Sequence, residues 1–151
     1  GADLLYRLHV VIDRSHHVAR IDAPGDGPTM PGAPLTFDDG VPEIEAVLDG
    51  VRSEALLDTG DASIVSLGYA DYRRGPQWPI VDRSLASGVG GAADAFAVTI
   101  PRVTFGAQTF GPTRAEVGRT QAGVHVGIGV WSMCTVELDE SERRFGCVPK
   151  P

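Results

Sequence analysis

The residues best placed to do chemistry lie in Ala55-Leu56-Leu57-Asp58-Thr59-Gly60-Asp61-Ala62-Ser63-Ile64-Val65-Ser66. An apolar run ends in an aspartate, a hydroxyl residue and a glycine follow, and a β-branched run resumes. This sets a carboxylate at a tight turn emerging from a core, and Gly60, without a Cβ, lets a second backbone or a ligand approach closely. Taken alone, Asp-Thr-Gly is also an ordinary strand-ending turn. A carboxylate so placed can serve as a general acid or base, and a second one about 3 Å away would share a proton with it, since the two cannot both ionise. Other candidates carry less. His16-His17 is a solvated hairpin tip rather than a metal site. Gly88-Val89-Gly90-Gly91 is no phosphate loop, since no Lys-Ser/Thr follows. Ser63 and Ser66 lack a nucleophile setting, Trp78 and Trp131 are core or cleft wall, and neither a metal nor a cofactor is called for.

The chain has 151 residues and a formal charge of −7. That length favours one domain with a sizeable core, and the acidic balance argues against nucleic acid as a partner. No apolar run approaches the roughly 20 residues of a membrane span, and no signal peptide is visible. With 19 Gly and 11 Pro, and without a long helical stripe, the composition reads as all-β, short strands joined by turns. Leu8–Ile12 and Val18–Ile21 flank a polar tip as a hairpin does. Residues 24–34, rich in Pro and Gly, read as a linker after an N-terminal hairpin (residues 1–23), leaving 35–151 as the main domain. Asp49-Gly50 between Ile44–Leu48 and Val51–Leu57 suits a two-residue type I′ turn. Further strands are expected at Ile64–Leu67, Phe96–Ile100, Arg102–Phe105 and Thr113–Val117, and at most one or two helical turns at Tyr69–Arg74 and Gly129–Met133.

A shift of 126 residues carries Leu8 onto Cys134 and Ala23 onto Pro149, matching Val10 with Val136, Asp13 with Asp139 and Ser15 with Ser141. With a turn between Glu140 and Ser141, Cys134 faces Cys147, Val136 faces Phe145 and Glu137 faces Arg144. The two cysteines then occupy apolar slots, either as a buried thiol pair or, in an oxidising compartment, as a cross-strand disulfide. The N-terminal hairpin therefore reads as the tail of a preceding copy of the domain, or else as a native hairpin at a dimer interface.

The run Leu56-Leu57-Asp58-Thr59-Gly60 resembles the active-site motif of the retropepsin-like aspartic proteases, of the single-lobe bacterial type. An Asp-Gly hairpin leads into it. A glycine-rich tip, Ser87–Ala93, follows about where that family has its flap. Val124-His125-Val126-Gly127 resembles the segment that passes behind the catalytic turn, and a short helix and a hairpin over Val136–Cys147 complete the pattern across residues 41–149. The resemblance implies a closed β-barrel with a flap hairpin. It implies Asp58 as catalytic carboxylate, Thr59 and Gly60 as supports of the turn, and Asp61, Ala62, Gly88, Val89, Gly90 and Gly91 on the substrate path. Val126 and Gly127 would back the turn. The implied partners are a peptide or protein substrate and a second Asp58-type residue, from a homodimer or a sister domain. Asp61 departs from the usual small or hydroxyl residue. Pointed inward it would repel Asp58; pointed along the cleft it could accept substrate N–H groups or select basic side chains. His125 is unusual at an apolar position and is expected to be a hydrogen-bonded core histidine. The alternatives are a catalytically silent half of a tandem enzyme and an unrelated ligand-binding barrel. The cysteine pair leans towards the bacterial envelope or periplasm.

Overall fold

A computed structural model describes residues 8–23, 30–88, 91–139 and 141–150. The strands are β1 (His9–Asp13), β2 (Val18–Asp22), β3 (Gly32–Asp38), β4 (Val41–Leu48), β5 (Val51–Asp58) and β6 (Val65–Gly68), followed by α1 (Tyr69–Arg74). Then come β7 (Ile80–Gly88), β8 (Gly91–Ile100), β9 (Val103–Phe105), β10 (Gln108–Phe110), β11 (Thr113–Gly118) and β12 (Val124–Gly127). A 3-10 turn (Ile128–Ser132), β13 (Cys134–Asp139) and β14 (Arg144–Pro149) end the described chain. The class is mostly β, with one short helix and one 3-10 turn. Neither helix is long and apolar enough to cross a membrane.

Period-two burial builds the core. In β4, Pro42, Ile44, Ala46 and Leu48 point inward between more exposed residues, and in β11 Thr113, Ala115 and Val117 do the same. The Asp49-Gly50 turn forms as expected, with φ of 49° and 89°, the left-handed values a type I′ turn requires. Strands pair in the order β2-β1-β13-β14-β3-β4-β5-β12-β6-β11-β8-β7, with β9 branching from β4 and β10 pairing β9. Among the described residues no pairing joins β2 to β7, so the path is open where a closed barrel was expected.

Two further expectations are corrected. Strand β3 starts at Gly32, inside the segment read as linker; residues 24–29 lie outside the described residues. A proline is tolerated there because β3 changes partner at Pro34: Gly32–Pro34 pair with β14, whereas Leu35–Asp38 pair with β4. The C-terminal hairpin turns one residue later than proposed, so Val136 faces Cys147 and Leu138 faces Phe145. The cause is Asp139, whose Oδ1 accepts hydrogen bonds from the Ser141 hydroxyl (2.6 Å) and the Glu142 N–H (3.1 Å), while Arg143 takes φ of 48°. The moved register keeps both cysteines on one face, and Cys134 and Cys147 form a disulfide with Cα atoms 5.5 Å apart. Strand β7 was not foreseen from the sequence.

Removing the disulfide by Cys134→Ala/Cys147→Ala should cost about 2–4 kcal/mol in a urea unfolding curve, because it frees a short loop of the unfolded chain; an unchanged midpoint would contradict a bridged pair. Asp139 gives a second expectation. Burial pushes its carboxyl up, but hydrogen bonds from Ser141 and Glu142 and the nearby His9 outweigh this and hold it below its ordinary value. Its stabilising contribution is therefore complete above the usual carboxylate range, about pH 4, and is lost as pH falls through the lowered value. Asp139→Asn should flatten the acid limb of the urea midpoint plotted against pH; an identical limb would show that the carboxylate contributes nothing.

Candidate active site

Strand β5 delivers Asp58 and β6 leads away from it, yet the two do not pair with each other. Strand β12 lies between them, parallel to β5, with Gly127 opposite Asp58, and antiparallel to β6. The Thr59–Ile64 loop must therefore span two interstrand spacings, roughly 9–10 Å. Such a loop cannot close on itself and is held from behind. The N–H groups of Gly127, Ile128 and Gly129 donate to the carbonyls of Ile64 (3.2 Å), Asp61 (2.8 Å) and Ser63 (2.9 Å). A Cβ on Gly127 would sit 2.4 Å from the Asp61 and Ser63 carbonyl oxygens, and one on Gly129 2.6 Å from Ser63. The close approach that fixes the loop is what demands glycine at the end of Val124-His125-Val126-Gly127. Behind the turn, Leu57, Val126 and Val130 meet Val136, Leu138 and Phe145 around a space of only about 20 Å³.

Asp58 projects from this support, its side chain 36% exposed. Its Oδ1 accepts the Gly60 N–H at 2.8 Å, and the Asp61 N–H donates to its backbone carbonyl at 3.2 Å. A Cβ on Gly60 would stand 3.2 Å from Oδ1, so glycine leaves that oxygen accessible. Thr59 is exposed beside it.

Asp61 takes neither orientation considered from the sequence. Its Oδ1 accepts the Ser63 N–H (2.8 Å) and hydroxyl (2.7 Å), and its Oδ2 accepts the Ser66 hydroxyl (2.5 Å). Gln121 Nε2 in turn donates to Ser66 Oγ at 2.7 Å. The carboxylate is engaged by its own loop and by β6. Ala62 is exposed on the same loop.

His125 is hydrogen-bonded, as expected, but stands at the rim of the site rather than in the core. Its Nε2 lies 3.1 Å from the Ala122 carbonyl and its Nδ1 3.3 Å from Asp58 Oδ2. A carbonyl oxygen only accepts, so Nε2 carries a hydrogen. A neutral imidazole so protonated has a bare Nδ1, and facing a carboxyl oxygen it needs one proton between the two atoms. That proton belongs either to an imidazolium beside a carboxylate or to a carboxyl beside a neutral imidazole. Sequence reasoning missed this contact. Its signal lay in the register: with Gly127 opposite Asp58 in parallel strands, position 125 falls two residues back on the same face.

The β7–β8 hairpin brings Gly88 opposite Gly91, which adopts φ of 102°. Val89 and Gly90, its tip, lie outside the described residues. A cleft of about 750 Å³ borders the base of this hairpin, lined among others by Tyr69, Tyr72, Phe96 and Arg119, and Asp58 is not part of its wall.

No protein-family model matches the sequence, and no curated protein sequence does. Solved structures do match the fold. A retropepsin-like aspartic protease from Rickettsia conorii superposes with a TM-score of 0.52 at 17% identity, over 67% of this chain and 75% of its own. EIAV protease in complex with the inhibitor HBY-793 gives 0.55 at 20% identity, over 64% and 91%. The retroviral protease-like domain of Ddi1 from Leishmania major gives 0.51 at 15% identity, over 72% and 94%. Over most of its length, this chain has the retropepsin-like aspartic protease fold.

Proposed function

We propose that this chain is one lobe of an aspartic endopeptidase in which Asp58 works with an equivalent carboxylate from a second lobe. The observation that carries the reading is the combination of a fixed and accessible carboxylate: Asp58 Oδ1 is tied to the Gly60 N–H, yet the side chain stays partly open at the end of a loop anchored by three backbone hydrogen bonds. The ionised carboxylate of the pair takes a proton from water, whose oxygen bonds to the peptide carbonyl carbon while the protonated partner polarises the carbonyl oxygen. Protonation of the amide nitrogen then lets the C–N bond break, giving an acid and an amine. Thr59 would join the two turns, and an extended peptide would add as a strand beneath the β7–β8 hairpin, contacting its Gly88–Gly91 tip and the Asp61-Ala62 backbone. Opening of that hairpin would admit substrate, and closing would exclude water.

His125 adds a contact to this scheme. It acts through Asp58 as a positioning residue, holding Oδ2 while Gly60 holds Oδ1.

The test of the reading is cleavage of a mixed peptide library, from about pH 3 to 8, by the polypeptide as its cell makes it. Asp58→Asn should lower turnover by at least roughly 10²–10⁴-fold; equal cleavage by both proteins would contradict the reading, and silence in both would favour a protease-like domain without turnover. For His125, ¹⁵N NMR of the imidazole should find the neutral ring protonated on Nε2, as its contact with the Ala122 carbonyl requires. A neutral ring protonated on Nδ1 would overturn that contact and the placement of bare Nδ1 against Asp58.

A further inference from the structure

The two terminal hairpins are the same object built twice. Under the 126-residue shift, Val10 opposite Ile21 becomes Val136 opposite Cys147, Ile12 opposite Ala19 becomes Leu138 opposite Phe145, and Asp13 opposite Val18 becomes Asp139 opposite Arg144. The turns agree as well. Asp13 Oδ1 accepts the Ser15 hydroxyl (2.5 Å) and the His16 N–H (3.3 Å), as Asp139 Oδ1 accepts the Ser141 hydroxyl and the Glu142 N–H, and each turn closes on a left-handed residue, His17 at φ 55° and Arg143 at φ 48°. The hairpins meet along β1 and β13, antiparallel, with Val11 opposite Glu137. Those two residues are themselves equivalent under the shift. Val10 opposite Leu138 and Ile12 opposite Val136 complete the arrangement, so a local two-fold axis passes between Val11 and Glu137.

Two features say what kind of partner this symmetry serves. The first is Glu137, on the axis and 0% exposed. In a symmetric pairing of two copies through β13 it would face its own image, a carboxylate directly opposite a carboxylate, which is destabilising. Strand β1 instead sets Val11 there and brings the buried His9, whose Nε2 lies 2.7 Å from Glu137 Oε1; the Met30 N–H donates to Oε2 at 2.6 Å. The second is the side of each hairpin turned away from the other. In β14, Phe145 and Cys147 are buried by the body of the lobe; in β2 the equivalent Ala19 and Ile21 are bare, Ile21 being 55% exposed. Strand β2 presents apolar surface where the body of another lobe would cover it.

We propose that β1–β2 is the terminal hairpin of a sister lobe of the same architecture, carried on the same polypeptide, and that this non-identical lobe, rather than a second copy of this chain, supplies the carboxylate that meets Asp58. The last step rests on the protease reading; the placement of the hairpin does not.

Two measurements test it. In the chain of residues 1–151, hydrogen exchange of the Val10–Ile12 amides should stay slow across a wide concentration range, at whatever mass sedimentation reports. Rapid exchange there, or a concentration-dependent dimer in which protection is lost as β13 takes a second copy, would overturn the placement. In the peptide assay, mixtures of wild-type and Asp58→Asn polypeptide should lose activity in proportion to the wild-type fraction. A fall with the square of that fraction would show that two copies share one site and would overturn the assignment of the carboxylate. Silence in that assay would count against the protease reading alone, since exchange is measured without activity.

Discussion

The position of Asp58 depends on a strand that arrives late in the chain. Because β12 enters between β5 and β6, the loop carrying the carboxylate is too wide to brace itself, and its carbonyls are braced by the N–H groups of Gly127–Gly129. This support requires two backbones at a separation that no Cβ permits. The same strand carries His125 to Asp58 Oδ2, so one insertion fixes the loop and sets the proton environment of the group at its tip. Behind it, Val136, Leu138 and Phe145 close the space under the turn, which couples the site to the sheet where the terminal hairpins meet.

Much of this was legible in the sequence because it is local. Asp49-Gly50 specifies its turn through backbone conformations that few residues adopt, and Tyr69–Arg74 forms a helix where expected. The 126-residue repeat was readable because both hairpins alternate apolar residues around an Asp-x-Ser turn. What escaped was non-local. Nothing in Val124-His125-Val126-Gly127 says which strands it will separate, so the His125–Asp58 contact stayed hidden until the register was known. The hairpin turn moved by one residue because Asp139 holds a four-residue loop, a choice made by side-chain hydrogen bonds rather than by apolar alternation. Residues 24–34 were read as a linker from their Pro and Gly content, but β3 begins at Gly32 and exchanges partners at Pro34. Asp61 looked like a group for substrate or for Asp58, and its short side chain instead satisfies donors of its own loop and of β6.

The chemistry and the assembly meet at one requirement. On the proposed reading, a lone carboxylate at the end of a braced loop would hold half of a general acid–base pair, and the other half would come from a neighbour related by a two-fold axis. In this chain the sheet around such an axis is already filled in cis, with a buried histidine and glutamate in place of a self-complementary pair. If a sister lobe completes the proposed site, asymmetry of this kind would let its two halves diverge, one retaining Asp58 with its histidine.

The most direct test of the account is a structure of the assembled protein with a peptide mimic bound that carries a tetrahedral hydroxyl in place of the scissile amide. The account predicts a second carboxylate within about 3 Å of Asp58, the hydroxyl held between the two, and the β7–β8 hairpin laid over the peptide. An Asp58 that meets only His125 and solvent, with the mimic bound elsewhere, would contradict it.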